Sequence, residues 1–235
     1  MWYEKFFNMR YAMHFLNDSA RIEYQLGLVK KYVAMERVES VFEIGCGIGL
    51  LSNELGKMGC YVEAIDIVKD YIDHAIQKNV KLQNKCSFLC NDIRKYNSDR
   101  KFDLVLNMGS SFGYEKTIGE NEDIIRKAFG LLNDKGIFLI ELFNKEYILE
   151  NYKEVMEHDF DDCLYRRVST LNKSRTKLFQ KWVVVEENGK EGIYETELHL
   201  FGREDIIGGL KKVGFVDVFC ERINDRYVFI AKKGT

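Results

Sequence analysis

Three glycines at alternate positions, Gly45, Gly47 and Gly49, follow the apolar run Val41-Phe42-Glu43-Ile44 and precede Leu50, Leu51, Leu55 and Met58 at helical spacing. A glycine turn between a strand and a helix lets backbone come close to a ligand, because no Cβ stands in the way. Asp66 ends the next apolar run, Tyr61-Val62-Glu63-Ala64-Ile65-Asp66, where a carboxylate can accept hydrogen bonds from both hydroxyls of a ribose. The same charge repels a 2′-phosphate, which disfavours NADP. Glu43 stands inside the first strand, just ahead of the turn. A buried anion there suits a ligand with a cationic amino group better than a pyrophosphate, since an unpaired buried charge is costly. The spacing is also G-x-G-x-G rather than the G-x-G-x-x-G of dinucleotide folds. A left-handed turn plus a surface aspartate is the plainer alternative, and it leaves the order of these residues unexplained.

Residues so placed need a scaffold, and the segments around them alternate strand with helix. Short apolar runs at 41–44, 61–66, 86–90, 102–108 and 136–143 are separated by helical spacings such as Tyr71, Ile72, Ala75, Ile76 and Ile124, Ile125, Ala128, Leu131, Leu132. Continuously apolar strands in such an alternation predict a parallel sheet covered on both faces, an α/β doubly wound arrangement. Ahead of it, apolar and aromatic residues in 1–35 predict two helices broken near Asn17-Asp18-Ser19. Behind it, strands are expected at 164–171, 177–186 and 193–201, the last two joined by Glu187-Asn188-Gly189-Lys190, a hairpin signal. Trp182 and Val184 alternate with Val183 and Val185, so pattern alone leaves the buried face of that strand open. A helix at 203–213 and strands at 215–221 and 226–232 close the chain. Segment 144–201 reads as a helical lead-in and an inserted antiparallel cover within one domain.

The motifs V-F-E-I-G-C-G-I-G, A-I-D, C-N-D-I-R and F-D-L-V-L-N, in this order and on these elements, resemble those of class I S-adenosylmethionine-dependent methyltransferases. The resemblance implies a Rossmann-like sheet of seven strands, mostly parallel with the last strand antiparallel, formed by residues 1–143 and 202–235. In it, 1–35 would be a helical cap and 144–201 an inserted substrate-covering subdomain. It implies that Glu43, Gly45, Cys46 and Gly47 hold the methionine end of S-adenosylmethionine. Asp66 would bind the ribose and Ile67 pack on the adenine. Asp92 would meet the adenine amino group with the backbone of Ile93 beside it, and Asn107 and Met108 would flank the methionine and sulfonium.

N-D-I-R and Ser110-Ser111-Phe112-Gly113-Tyr114 further resemble a small-molecule subgroup, akin to the methyltransferase domain 25 and 11 types, some of which methylate amines. That subgroup often has an aromatic N-terminal helix over the cofactor, matched by Tyr3, Phe6, Phe7 and Tyr11. His199, Tyr114 and Tyr11 are the catalytic candidates: His199 as a base where the insertion closes, Tyr114 to orient the acceptor, Tyr11 to cover the methyl group. Each has a structural alternative as a packed or hydrogen-bonded core residue. His14, His74 and His158 are assigned no role. The chain has no proline, which removes the Pro-Pro-aromatic and Pro-Cys motifs of amide, nucleobase and cytosine enzymes. Glu141 and Asn144 do not make a carboxylate cluster, so no metal is expected.

Composition narrows the partners. The 235 residues are 46% hydrophobic, against wholesale disorder, and carry a net charge of −2, without the basic excess that nucleic-acid binding needs. No apolar run reaches the ~18 residues of a membrane span, and the N-terminus lacks a signal-peptide pattern. Six scattered cysteines without a C-x-x-C pair read as reduced thiols. The expectation is a cytoplasmic monomer or homodimer that transfers a methyl group to a small molecule, nitrogen ahead of oxygen or carbon. Its rivals are a NAD-binding oxidoreductase and an inactive nucleotide-binding regulatory protein.

Overall fold

The apolar runs pair as strands of one sheet, seen in a computed structural model that describes residues 2–109 and 111–235. Strands β1 (Ser40–Ile44), β2 (Tyr61–Asp66), β3 (Cys86–Cys90), β4 (Phe102–Asn107) and β5 (Leu132–Phe143) are parallel, and β11 (Arg226–Lys233) runs antiparallel between β5 and β10 (Phe215–Ile223). The order is β10-β11-β5-β4-β1-β2-β3. Seven strands with one reversed are what the sequence motifs imply. Helices α3 (Ser19–Tyr32), α4 (Leu50–Lys57) and α5 (Lys69–Leu82) cover one face, where Val29, Leu55, Ala75 and Leu104 are fully buried. Helices α6 (Ile118–Leu131) and α8 (Arg203–Val213) cover the other, around Phe42, Phe102, Phe138 and Phe229. Each such side chain contributes about 1.5–3 kcal/mol by burial, so both layers hold the sheet rigid. Strand order reverses between β1 and β4, which opens a crevice at the carboxyl ends of those strands.

Two additions stand outside this layered unit, and the first of them, the cap, helps to line the crevice. The cap begins with α1 (Trp2–Phe6), α2 (Met9–Tyr11) and a π-helical turn at Ala12–Leu16. The chain breaks at Asn17-Asp18 as expected, because Asp18 accepts from the Ala20 N–H at 2.9 Å and starts α3. A second break at Phe7-Asn8 was not anticipated; the Asn8 side chain accepts from the Tyr11 N–H there at 3.1 Å. After α7 (Lys145–Glu150), a four-stranded antiparallel roof runs in the order β6 (Val155–Phe160), β7 (Cys163–Leu171), β8 (Lys177–Glu186), β9 (Glu191–His199). Strand β6 was absent from the sequence expectation, and β9 ends at His199 rather than at 201. Trp182 and Val184 face inward at 7% exposure each, which settles the ambiguous face of β8. The cap packs on that face: the Phe6 ring lies 5.1 Å from Trp182 and 5.6 Å from Tyr194. Among the described residues no helix is long and apolar enough to cross a membrane.

Candidate active site

Where β1 gives way to α4, the chain turns through Gly45, Gly47 and Gly49 with φ of 70°, 55° and 74°, angles that disfavour a side chain. The N–H groups of Gly45 and Cys46 both donate to the Ile65 carbonyl, at 2.8 and 3.0 Å, and the Gly47 N–H donates to Asp66 Oδ2 at 2.8 Å. A Cβ on Gly45 would come within 2.6 Å of Ser111 Oγ. The turn is therefore packed from behind and from above, and its backbone faces a cavity of about 570 Å³. Glu43, Gly45, Cys46, Gly47, Asp66, Ile67, Asp92, Ile93, Asn107 and Met108 all line that cavity.

At one end lies Glu43, 4% exposed. Burial pushes its carboxyl up to about 7, although the Ser52 hydroxyl donates to Oε2 and the Arg21 cation opposes the shift. Asn107 donates through Nδ2 to the Ile44 carbonyl at 3.2 Å and to Ser111 Oγ at 2.9 Å. Its Oδ1 is buried without a hydrogen-bond partner among the described residues. An acid held near neutrality and an orphaned acceptor in one cavity wall match an ammonium group. Arg21, from α3, also lines the cavity, over Gly109, with a hydrogen-bonding role left open. Desolvation lowers its pKa, while Glu141 and Glu43 act against that shift. It suits an anionic neighbour such as a carboxylate. Cys46 is buried, which raises its thiol and leaves it unreactive.

At the other end, Asp66 accepts from the N–H groups of Gly47 and Val68, at 2.8 and 2.9 Å. Burial nonetheless raises its carboxyl. Asp92 sits in the fork of Arg94, with Nε to Oδ1 at 2.9 Å and Nη2 to Oδ2 at 2.6 Å, and those bonds hold its carboxyl below the usual range. Arg94 also binds Glu115 and approaches Glu120 at 3.6 Å. One guanidinium thus gathers three carboxylates of the cavity rim. The residues present fit S-adenosylmethionine: acceptors at the Glu43 and Asn107 end, carboxylates at the Asp66 and Asp92 end, apolar Ile67 and Ile93 between.

Tyr11 and Tyr114 line the same cavity on its cap and roof side, with Phe7 edge-on to Tyr114 at 5.8 Å. Burial raises both hydroxyls, which stay protonated and can donate but cannot serve as bases. His199 does not line the cavity, so the placement expected of it is corrected. Its backbone N–H donates to the Gly113 carbonyl at 2.8 Å, and Nε2 lies 3.2 Å from the Lys116 carbonyl. The residue fastens the loop after β4 to the roof. Ser110, the first residue of the S-S-F-G-Y motif, lies outside the described residues. His14 Nε2 lies 2.9 Å from Asp162 Oδ1, with Cys163 Sγ 3.5 Å away. This trio is the one group of possible metal ligands among the described residues, and none of it lines the cavity. Sequence reading missed Arg21 and Arg94: the first belongs to no motif, and the second stood in N-D-I-R without a role. Its position two residues after Asp92 was the available signal.

Comparison with known proteins agrees with this geometry. Residues 41–136 match the methyltransferase domain family. YqeM of Bacillus subtilis, itself named only as a candidate methyltransferase, is 28% identical over 123 residues, 52% of this chain and 49% of that one. The ubiquinone biosynthesis O-methyltransferase of Rickettsia bellii is 24% identical over 140 residues, 58% and 56%. The chain spans about half the length of the curated relatives it matches. Among solved structures, an S-adenosylmethionine-dependent methyltransferase from Clostridium acetobutylicum superposes with a TM-score of 0.81 at 20% identity, covering 99% of both chains. CalS10, an amino pentose methyltransferase from Micromonospora echinaspora, gives 0.74 at 16%, covering 96% and 97%. The fold is shared from end to end.

Proposed function

We propose that the chain, whose residues 41–136 match the methyltransferase domain family, is a class I S-adenosylmethionine-dependent methyltransferase acting on a small-molecule acceptor, with an amine nitrogen as the receiving atom. When bound, the sulfonium supplies a methyl carbon open to in-line attack and leaves as S-adenosylhomocysteine. Glu43 and Asn107 Oδ1 hold the ammonium, Arg21 faces the carboxylate, Asp66 takes the ribose hydroxyls and Asp92 the adenine amino group. The observation that carries the reading is that the ten residues marked in the sequence for the cofactor, from Glu43 to Met108, all line one cavity.

Nitrogen is favoured by what the acceptor side lacks. Among the described residues no histidine lines the cavity, and its carboxylates are committed: Glu43 to Ser52, Asp66 to backbone N–H groups, Asp92, Glu115 and Glu120 to Arg94. An alcohol needs a base to become a good nucleophile, whereas an amine reaches the site in part as the free base and needs only alignment. Alignment alone can be worth ~7–11 kcal/mol. Tyr11 and Tyr114, as donors with aromatic faces, would orient the acceptor and cover the sulfonium. A sugar N-methyltransferase and a glycopeptide N-methyltransferase stand among the structural neighbours, a likeness of fold that agrees with this choice. Six free thiols fit a reducing, cytoplasmic setting. Titration with S-adenosylhomocysteine and with NAD tests the reading. Saturable binding of the first and none of the second is expected; the reverse overturns it. Screening amines and alcohols for a 14-dalton gain decides the acceptor atom, and methylated alcohols alone would refute nitrogen.

A further inference from the structure

The inner face of the roof carries a polar band that cofactor binding leaves unused. Directly opposed residues of antiparallel strands share a face, and the pairs Arg167–Trp182 and Ser169–Gln180 set two adjacent rungs across β7 and β8. Thr196 extends the second rung onto β9. Ser169, Gln180 and Thr196 are 1%, 6% and 3% exposed. Aromatic packing around Phe6 and Tyr165 closes one side of the band, and Leu178 and Leu198 close the other. Polar groups in such a place are costly unless they have partners.

Several of them have none. Arg167 Nε, Ser169 Oγ and Trp182 Nε1 are buried without a hydrogen-bond partner among the described residues. Among the described residues no carboxylate pairs with Arg167; its Nη2 points at the Met156 sulfur, a weak acceptor, 2.6 Å away. The guanidinium lies over the Trp182 ring at 5.5 Å. Its charge acts on the hydroxyls of Tyr114 and Tyr11, two of the tyrosines that line the cavity. Gln180 Oε1 already accepts from Thr196 at 3.0 Å, so its amide nitrogen is the group left to offer. A cation ringed by an indole N–H, a hydroxyl and an amide N–H is a set of donors waiting for an anion.

We propose that Arg167, with Ser169 and Trp182 beside it, holds an anionic oxygen group, a carboxylate or a phosphate, carried by the methyl acceptor. The assignment rests on the methyltransferase reading for the cavity it adjoins. The receiving nitrogen then lies on the Tyr11 and Tyr114 side, and the anion anchors the far end of the same small molecule. A planar guanidinium can make two parallel bonds to either oxyanion.

Calorimetric titration with acetate and with inorganic phosphate tests this, run with and without saturating S-adenosylhomocysteine. At least one anion is expected to bind saturably, with a dissociation constant on the order of millimolar. Arg167→Gln should weaken it at least tenfold, Arg167→Lys should keep much of it, and Trp182→Phe should fall between. The anion that binds tells a carboxylate acceptor from a phosphorylated one. Absence of saturable binding by both anions, or an Arg167→Gln isotherm equal to the parent's, overturns the proposal provided the variants still bind S-adenosylhomocysteine. Failure of the parent protein to bind S-adenosylhomocysteine would instead sink the cofactor reading, and the anion isotherms would still decide the role of Arg167.

Discussion

If Glu43 holds the ammonium of the cofactor, affinity should depend on pH in a calculable way. Its carboxyl sits at about 7 because burial outweighs the help it gets from Ser52 and Arg21. About nine molecules in ten carry the anion at pH 8 and about one in ten at pH 6. An ammonium ligand needs the anion, so the apparent dissociation constant for S-adenosylhomocysteine should rise about tenfold from pH 8 to pH 6, or about 1.4 kcal/mol. Near pH 7 binding should release about half a proton, visible as a dependence of calorimetric heat on the ionisation enthalpy of the buffer. Glu43→Gln should bind more weakly at pH 8 and show no slope. Stability moves the opposite way. The folded pKa lies above the unfolded value of 4.5, so the folded state holds the proton more tightly; this contribution is present below about 4.5 and lost as pH climbs through 7. By pH 8 the buried anion costs about 3 kcal/mol, and Glu43→Gln should melt several degrees higher there. Equal affinity at pH 6 and pH 8, or a slope that survives in Glu43→Gln, refutes the reasoning.

Asp66→Ala removes the acceptor of two backbone N–H groups and of the ribose; affinity for S-adenosylhomocysteine should drop at least about tenfold, and an unchanged calorimetric constant would show the ribose assignment to be wrong. Gly49→Ala puts a Cβ 2.7 Å from the Phe88 ring at a φ of 74°; a loss of about 2 kcal/mol is expected, read as a melting temperature lower by roughly 4–8 °C. His199→Ala should lose one hydrogen bond, about 1 kcal/mol, and keep its rate of methyl transfer once an acceptor is known. A rate collapse with S-adenosylhomocysteine binding intact would restore His199 to the chemistry.

The sheet and the glycine turn of the cavity wall were legible because each depends on local signals. A parallel strand buried on both faces must read as an unbroken apolar run, as Phe102–Asn107 does, and a turn that meets a ligand needs glycine where φ is positive. Strand β6 escaped notice for the opposite reason: Val155-Met156-Glu157-His158-Asp159-Phe160 lies at the roof's edge, pairs only with β7 and alternates exposed with half-buried residues. The inward face of β8 depended on the cap, whose Phe6 covers Trp182, a contact between residues 176 positions apart. Arg21 acts on Glu141 and Glu43, carboxylates brought near only by the fold, so no spacing announces it. Arg94 pairs with Asp92 two residues before it, a spacing present in the sequence, and reaches Glu115 and Glu120 through the fold. His199 lay next to the expected pocket along the chain, yet the register of β9 against β8 turns its ring toward the Lys116 carbonyl.

The cap is a shared partition. Tyr3, Phe7 and Tyr11 wall the cofactor cavity on one side, while Phe6, on the same stretch of chain, is pressed into the roof. Leu16 reaches down to within 3.2 Å of where Gly47 would bear a side chain. A displacement of the cap that widened the cavity would therefore also disturb the Phe6–Trp182 contact, which couples the cavity wall to the antiparallel sheet mechanically.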